Sequence, residues 1–281
     1  MIKRRTLRFT TLVAMAVCLA CVSAFAPYSS GQERNHERKM DCNDSWGGDR
    51  YSSHCEVQEQ TLAATGGTLS VNGGRNGGVS VKGWERNNVL VRARIQTGAK
   101  SSAEAAELAR QIKIETAGSQ IRAEGPAGQD DKHWAVSYEI FVPQQSDLSL
   151  ETYNGGISIT DVRGQIEFKA HNGGVSLKRL GGNVRGTTTN GGLSVDLAGT
   201  RWEGEGLDAV TRNGGVSISI PENYSARLES GTRNGGLNIG FPMTVQGRVD
   251  KEISVDLGSG GATVRAVTTN GGVTIRRKGQ D

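Results

Sequence analysis

From residue 148 onward, apolar side chains alternate with small or polar ones in short bursts on either side of a recurring Asn-Gly-Gly triplet. The triplets start at Asn154, Asn172, Asn190, Asn213, Asn234 and Asn270. With Asn as position zero, position +3 holds Ile157, Val175, Leu193, Val216, Leu237 and Val273, and position +5 holds Ile159, Leu177, Val195, Ile218, Ile239 and Ile275. Position +4, between them, holds Ser158, Ser176, Ser194, Ser217, Asn238 and Thr274. Upstream, position −6 holds Leu148, Ile166, Val184, Leu207, Leu228 and Val264, position −4 holds Leu150, Phe168, Gly186, Ala209, Ser230 and Ala266, and position −2 is Thr in all units but one. A period of two on both sides of the triplet predicts two strands, each with one buried face.

A triplet that returns at steps of 18 to 23 residues predicts units of strand, corner and strand laid one on the next. The step from Asn234 to Asn270 is 36 residues, two steps of 18, and Ile253-Ser254-Val255-Asp256-Leu257 matches Leu193-Ser194-Val195-Asp196-Leu197. A degenerate coil is therefore expected there, with Asp250-Lys251-Glu252 at its corner. The fold class expected is all-β: a β-solenoid, or β-helix, of about seven two-strand coils with an N-terminal strand-helix-strand cap. Asn-Gly-Gly suits a corner that needs positive φ. Stacked Asn amides can also pair along an axis with a strand spacing of about 4.8 Å. A hairpin meander or a sandwich is the alternative, because Asn-Gly is also a hairpin turn signal.

Before the repeats, Leu69-Val71, Val79-Val81 and Val89-Ile95 read as short strands, and Asn72-Gly73-Gly74 and Asn76-Gly77-Gly78 as a turn or an early coil. Residues 101–113 read as a helix. Ser101 and Glu104 form a capping box, and Ala103, Ala105, Ala106, Leu108, Ala109 and Ile112 can form an apolar stripe. Strands at Ile112-Ile114, Gln120-Ala123 and Ala135-Val142 follow. The organisation expected is a signal peptide at 1–24, a polar linker with a disulfide loop at 25–60, a β-rich cap with one helix at 61–147, and a solenoid repeat domain at 148–281. The cap covers one end of the stack, and Arg276-Arg277-Lys278 should keep the far end from pairing with another chain.

Composition narrows the picture. Only 5% of the 281 residues are aromatic and 40 are Gly, which suits thin stacked layers rather than one large core. Lys3, Arg4, Arg5 and Arg8 precede an apolar stretch from Phe9 to Val22, too short for a stable span, and Val22-Ser23-Ala24 has the small-residue spacing for cleavage. Cys21 also permits a lipoprotein reading, and membrane attachment is expected only if Cys21 is lipidated. The formal net charge is +4, but residues 1–24 carry four bases and no acid, so the mature chain is neutral. That removes a general reason to bind nucleic acid. Cys42 and Cys55 remain after export and are expected to form a disulfide.

Candidate chemistry is sparse. In the repeat place where a calcium roll would carry Asp stand Thr160, Lys178, Asp196, Ser219 and Gly240, so no chain of carboxylate cages is expected. Asp161, Glu167, Asp196 and Glu203 do not recur in phase, as paired carboxylates for sugar cleavage would. Phosphate loops, nucleophile elbows and metal-spaced His pairs are missing from the sequence. No catalytic residue, metal or cofactor is assigned. Trp202 and Glu203 lie in the enlarged connector 196–206 and form the candidate binding loop.

The Asn-Gly-Gly-apolar-Ser-apolar units at 154–159, 172–177, 190–195, 213–218, 234–239 and 270–275, with the strand-helix-strand at 89–142, resemble the bacterial putative-adhesin family of Gly-rich β-solenoids of unknown function. The resemblance implies a fold and supplies no catalytic residues. The functional expectation is a non-enzymatic exported envelope or cell-surface protein that presents a rigid repetitive β face to an envelope protein or a surface glycan. A periplasmic structural or signalling module binding a protein through an open strand edge is the alternative, and a carbohydrate-active β-helix enzyme a further one. The compartment expected is the periplasm, the outer membrane surface or the exterior.

Overall fold

In the computed structural model, residues 40–42, 51–128, 131–242 and 251–279 are described. The signal peptide and Cys21 lie outside them. The chain enters through β1 (Ser52–Ala63), β2 (Leu69–Asn72), β3 (Val79–Trp84) and β4 (Asn88–Ala99), then helix α1 (Ser102–Arg110), β5 (Lys113–Glu115), β6 (Gln120–Glu124) and β7 (His133–Pro143). Strand pairs flanking the Asn-Gly-Gly corners follow: β8 (Leu148–Thr152) with β9 (Ile157–Thr160), β10 (Arg163–Asn172) with β11 (Val175–Lys178), β12 (Gly181–Asn190) with β13 (Leu193–Asp196), and β14 (Gly206–Asn213) with β15 (Val216–Ile220). The last elements are β16 (Ala226–Asn234), β17 (Leu237–Ile239), β18 (Glu252–Leu257), β19 (Thr263–Asn270) and β20 (Val273–Arg277).

These strands make two 10-stranded sheets. One runs β1-β4-β7-β3-β9-β11-β13-β15-β20-β17, the other β18-β16-β19-β14-β12-β10-β8-β2-β6-β5. Within the repeats all neighbours are parallel and equivalent positions pair: Val175 with Leu193, Leu193 with Val216, and Asn172 with Asn190. The period-two reading of the buried face holds. Ile157, Ile159, Ile166, Val184, Ile218, Val264 and Ile275 are all buried between the sheets. Gly186, the odd residue at position −4, lies against the Phe168 ring, where an added Cβ would come within 2.4 Å of the ring. The missing side chain accommodates the large one in the neighbouring unit.

Several expectations are corrected. Ile253–Leu257 is not a coil: β18 runs antiparallel along β16 at the edge of its sheet. The unit that does join the stack is β2 with β3, which pairs in parallel with β8 and β9. No break in either sheet therefore falls at the expected boundary between 147 and 148. The linker expected through residue 60 already contains β1, which pairs along its whole length with β4. Its polar surface misled, because the strand lies at the sheet edge and leaves much of that surface in solvent. The chain-terminal bases do not close the stack, since β20 is paired on both sides, with β15 and β17. Arg277 instead places its guanidinium 4.7 Å from the Phe241 ring centre, and Lys278 pairs with Asp196.

The helix forms where the sequence predicts it. Ser101 accepts a hydrogen bond from the Glu104 amide at 3.3 Å, and Ala105, Leu108 and Ala109 are buried. It ends at Arg110, sooner than expected, because β5 and β6 form a hairpin directly afterwards. Cys42 and Cys55 are joined, as expected, with Cα atoms 5.7 Å apart. The bond ties residues 40–42 to β1, and Arg94 of β4 donates to the Asp41 carbonyl at 3.3 Å.

Candidate functional site

The Asn residues stack at the first corner and link through their amides. Asn172 donates to Asn154 at 2.8 Å, Asn190 to Asn172 at 2.7 Å, and Asn213 to Asn190 at 2.8 Å. At one end Asn154 continues the ladder to Asn76 at 3.0 Å, so the early Asn-Gly-Gly is its first rung. At the other end Asn270 donates to Asn213 and Asn234 donates to Asn270. Inside the corner, Thr188, Thr211 and Thr268 donate to the carbonyls of Gly173, Gly191 and Gly214 in the adjacent unit, at 2.7–2.8 Å. In these three units the Thr at position −2 thus satisfies a corner carbonyl, while Thr152 donates to the Gly155 carbonyl of its own corner at 2.6 Å and the Thr232 hydroxyl has no partner among the described residues.

No corner Asn uses positive φ, and among the glycines of the six repeat corners only Gly271, at 153°, does. Among the described residues the non-glycine positions with positive φ are Ser119, Asp161 and Arg179, none of them a corner Asn. The first glycine is needed for close approach instead: a Cβ on Gly191 would sit 2.1 Å from the Gly173 carbonyl oxygen. The second is different. A Cβ on Gly192 would meet the Gly215 oxygen at 3.5 Å, an ordinary contact. The second glycines Gly156, Gly174, Gly192, Gly215 and Gly272 are exposed, beside Ser158, Ser176, Ser194, Ser217 and Thr274. Together they make a flat face of backbone and hydroxyls on the outside of one sheet.

Trp202 of the candidate binding loop does not face solvent. Trp202 is 5% exposed and donates from Nε1 to the Gly182 carbonyl at 3.0 Å, filling the core at the second corner. An added Cβ on Gly204 would lie 2.5 Å from the Gly182 backbone, so the connector folds tightly onto its neighbour rather than out into solvent. Glu203 does remain at the surface, where it pairs with Arg163 at 3.1 Å beside a cleft of 240 Å³. In the same cleft Asp161 receives two hydrogen bonds from Arg179, both 2.6 Å, which push the guanidinium pKa upward. The carboxylates named as candidates for sugar cleavage are thus divided: Asp161, Asp196 and Glu203 each hold a base. Such pairing suits a structural ion ladder between units better than a proton-transferring pair. Burial raises the phenol pKa values of Tyr138 and Tyr224. Among the described residues no group of three or more His, Cys, Asp or Glu is placed to hold a metal ion.

The opposite sheet brings together Tyr153, which the sequence does not single out, and His171, which reads in the sequence as a solvated side chain next to a corner. Tyr153 and His171 both stand one place before a corner Asn, in neighbouring units, and their rings stack at 4.5 Å between centroids. The same alternation that puts position −2 inside puts position −1 outside, so two consecutive aromatic or imidazole rings there were the available signal.

The fold and its surfaces can be set beside known proteins. The model of the family described as Toastrack DUF4097 matches residues 50–276. No curated protein matches the chain. Among solved structures, similarity is found to a putative cell adhesion protein from Clostridium sporogenes, with 14% identity over 80% of this chain and 100% of that one and a TM-score of 0.40. A putative adhesin from Bacteroides fragilis is 9% identical over 79% of this chain and 97% of its own, with a TM-score of 0.33. A putative lipid binding protein from Parabacteroides distasonis is 9% identical over 80% of this chain and 96% of its own, with a TM-score of 0.27. With its family model spanning most of the chain, from the first strand to the last, this protein belongs to the Toastrack DUF4097 family.

Proposed function

We propose that the protein is a non-enzymatic, exported envelope or cell-surface protein whose β-solenoid of two-strand coils presents a rigid repetitive face for binding or assembly. The observation that carries this reading is the flat face of exposed second glycines and Ser158, Ser176, Ser194, Ser217 and Thr274. A Cβ on Gly174 or Gly192 would meet its nearest neighbour at 3.5 Å, so packing between units does not account for the bareness there, whereas Gly156 and Gly215, at 3.0 and 3.3 Å, are held closer to the next unit. Behind it, the Asn ladder and the corner threonines hold the units in register. The basic and apolar N-terminal sequence supports export, and the Cys42–Cys55 bond suits an oxidising compartment.

Retention of the purified protein on an envelope fraction tests the reading. The double variant Ser176→Arg, Ser217→Arg puts bulk and charge on the flat face without touching the core. Unchanged circular dichroism with lost retention is expected, and undiminished retention would sink this reading. A second reading keeps the protein partner but places it at a strand edge. β1 pairs with β4 on one side and has no strand on the other among the described residues, leaving 12 residues of edge backbone for an added strand. Crosslinking from Glu59, at that edge, to a single envelope protein would favour it.

A further inference from the structure

Tyr153 is 50% exposed, the one aromatic side chain that the described residues leave so open. Its ring and that of His171 lie 20° from parallel and project together from the sheet opposite the flat Ser face. Stacking within the pair accounts for one face of each ring. It does not account for the polar atoms: among the described residues neither the Tyr153 hydroxyl nor the His171 ring nitrogens have a hydrogen-bond partner.

The rings border a hollow of 680 Å³ whose floor includes Asn72, Arg75, Glu151, Lys169, Thr187 and Thr189. That is the size range of sites for small ligands. Its ends are open for a reason visible in the units. On the Tyr153 side the neighbouring backbone is Gly74, whose carbonyl takes the Tyr153 amide at 3.2 Å and which has no side chain to cover the ring. On the His171 side the next unit offers only Thr189 at the equivalent place. The charges around it are unequal. Lys169 stands 3.8 Å from Glu151, a long and exposed contact, and the Arg75 guanidinium has no ion pair among the described residues. A contact of that kind is cheap to exchange for a ligand's acid group.

We propose that this hollow is a saccharide-binding site for a carboxylate-bearing glycan. The C–H face of a sugar ring carries partial positive charge and lies against the negative face of an aromatic ring. The ring hydroxyls meet the Tyr153 hydroxyl, His171, Asn72, Thr187 and Thr189, each able to donate or accept. The carboxylate lies between Arg75 and Lys169, with the planar guanidinium matched to its two oxygens. The site rests on the reading of the protein as an exported binding surface, but it places the contact on the other sheet.

The test uses the purified protein with immobilised oligogalacturonate and a neutral galacto-oligosaccharide of the same length. Wild type is expected to bind the acidic probe at least tenfold more tightly than the neutral one. Tyr153→Ala should lose tenfold or more on the acidic probe and Arg75→Gln a similar factor, while Tyr153→Phe keeps most of the affinity. Melting temperatures should stay within the spread of the wild type, since all these side chains are at the surface. No binding by wild type, equal binding of the neutral probe, or full binding by Tyr153→Ala would each overturn the proposal. The Ser176→Arg, Ser217→Arg protein should bind the acidic probe normally, which separates this site from the flat face.

Discussion

The middle of the stack and its C-terminal end use the same repeat in different orders. From β8 to β15 each unit lies beside the one that precedes it in the chain. After β15 this ceases. The unit β19–β20, last in the chain, pairs on one side with β14 and β15 and on the other with β16 and β17. The chain thus lays down an outer unit first, turns back through β18 along the edge of β16, and then fills the place it left. The Asn ladder follows space and not sequence, running Asn213, Asn270, Asn234. The repeat chemistry is therefore a property of neighbours in the stack, and it does not specify who the neighbours are.

This difference predicts the largest effect. In a stack laid down in order, removing the last unit frays one end. Here, removing residues 262–279 takes out the strands that join β14–β15 to β16–β17, and leaves β16 and β17 without their parallel partners and β18 attached to β16 alone. Hydrogen exchange should show protection lost throughout 206–257, with the first units, β2 to β11, still protected. If only the segment next to the deletion became unprotected, the intercalated order would be wrong.

The sequence made the alternation, the buried positions and the corner Asn legible because each depends on local spacing alone. It could not show the order of the last units. Leu228 and Val264, or Leu237 and Val273, occupy equivalent places, so either sequence of neighbours buries the same side chains. One clue was present: Asp250-Lys251-Glu252 lacks the ladder residue and also the first glycine, the one that close approach between units requires. The binding surface was less legible. Trp202 reads as an insertion residue, yet the second corner of each unit needs filling, and Leu197, Trp202 and Tyr224 fill it. Tyr153 and His171 look solitary in the sequence, 18 residues apart, until the units are stacked.

The two glycines of one corner offer the next comparison, inside the regular region. Gly191→Ala would place a methyl 2.1 Å from the Gly173 oxygen, against backbone that cannot swing away. Overpacking of that kind should cost about 3 kcal/mol. Gly192→Ala meets its nearest neighbour at 3.5 Å and is not at positive φ, so it should stabilise by about 0.5 kcal/mol through the unfolded chain. Urea unfolding of the two variants measures both. Equal effects would show that the first glycine is not set by approach between units. Val195→Asp, at a position 2% exposed, gives the scale of a core error, roughly 4 kcal/mol.

The ladder itself is weaker than the core it borders. Asn190→Ala removes the bond to Asn172 and the one from Asn213, 2.7 and 2.8 Å. Both lie in solvent, where water replaces them, so the loss should be about 1–2 kcal/mol by the same urea measurement. Asn270→Ala should cost more than Asn190→Ala if register matters most where the chain order is reversed, because there no short connector holds the neighbouring units together. Equal losses would reduce the ladder to two ordinary hydrogen bonds wherever it is cut.

The smallest effect lies at the other end, in the hairpin of β5 and β6. Arg122 donates to Glu115 at 2.8 Å and also reaches Glu124 at 2.7 Å. The hydrogen bond from Arg122 is the main cause of a Glu115 pKa below its ordinary value, with slight desolvation opposing it. A carboxylate depressed in the folded state contributes stability that is complete above its unfolded pKa and is lost as pH falls through the lower folded one. In Arg122→Gln the NMR titration of the Glu115 carboxyl should move up toward the ordinary glutamate value, and the variant should match wild type in stability only at acid pH, where both carboxyls are protonated. Both groups are exposed, so amide protection in β8 to β20 should not change. A titration unmoved by the substitution would assign the depression to some other neighbour. A loss of protection spreading into the repeats would mean that this hairpin, unlike the intercalated unit, holds the stack from outside it.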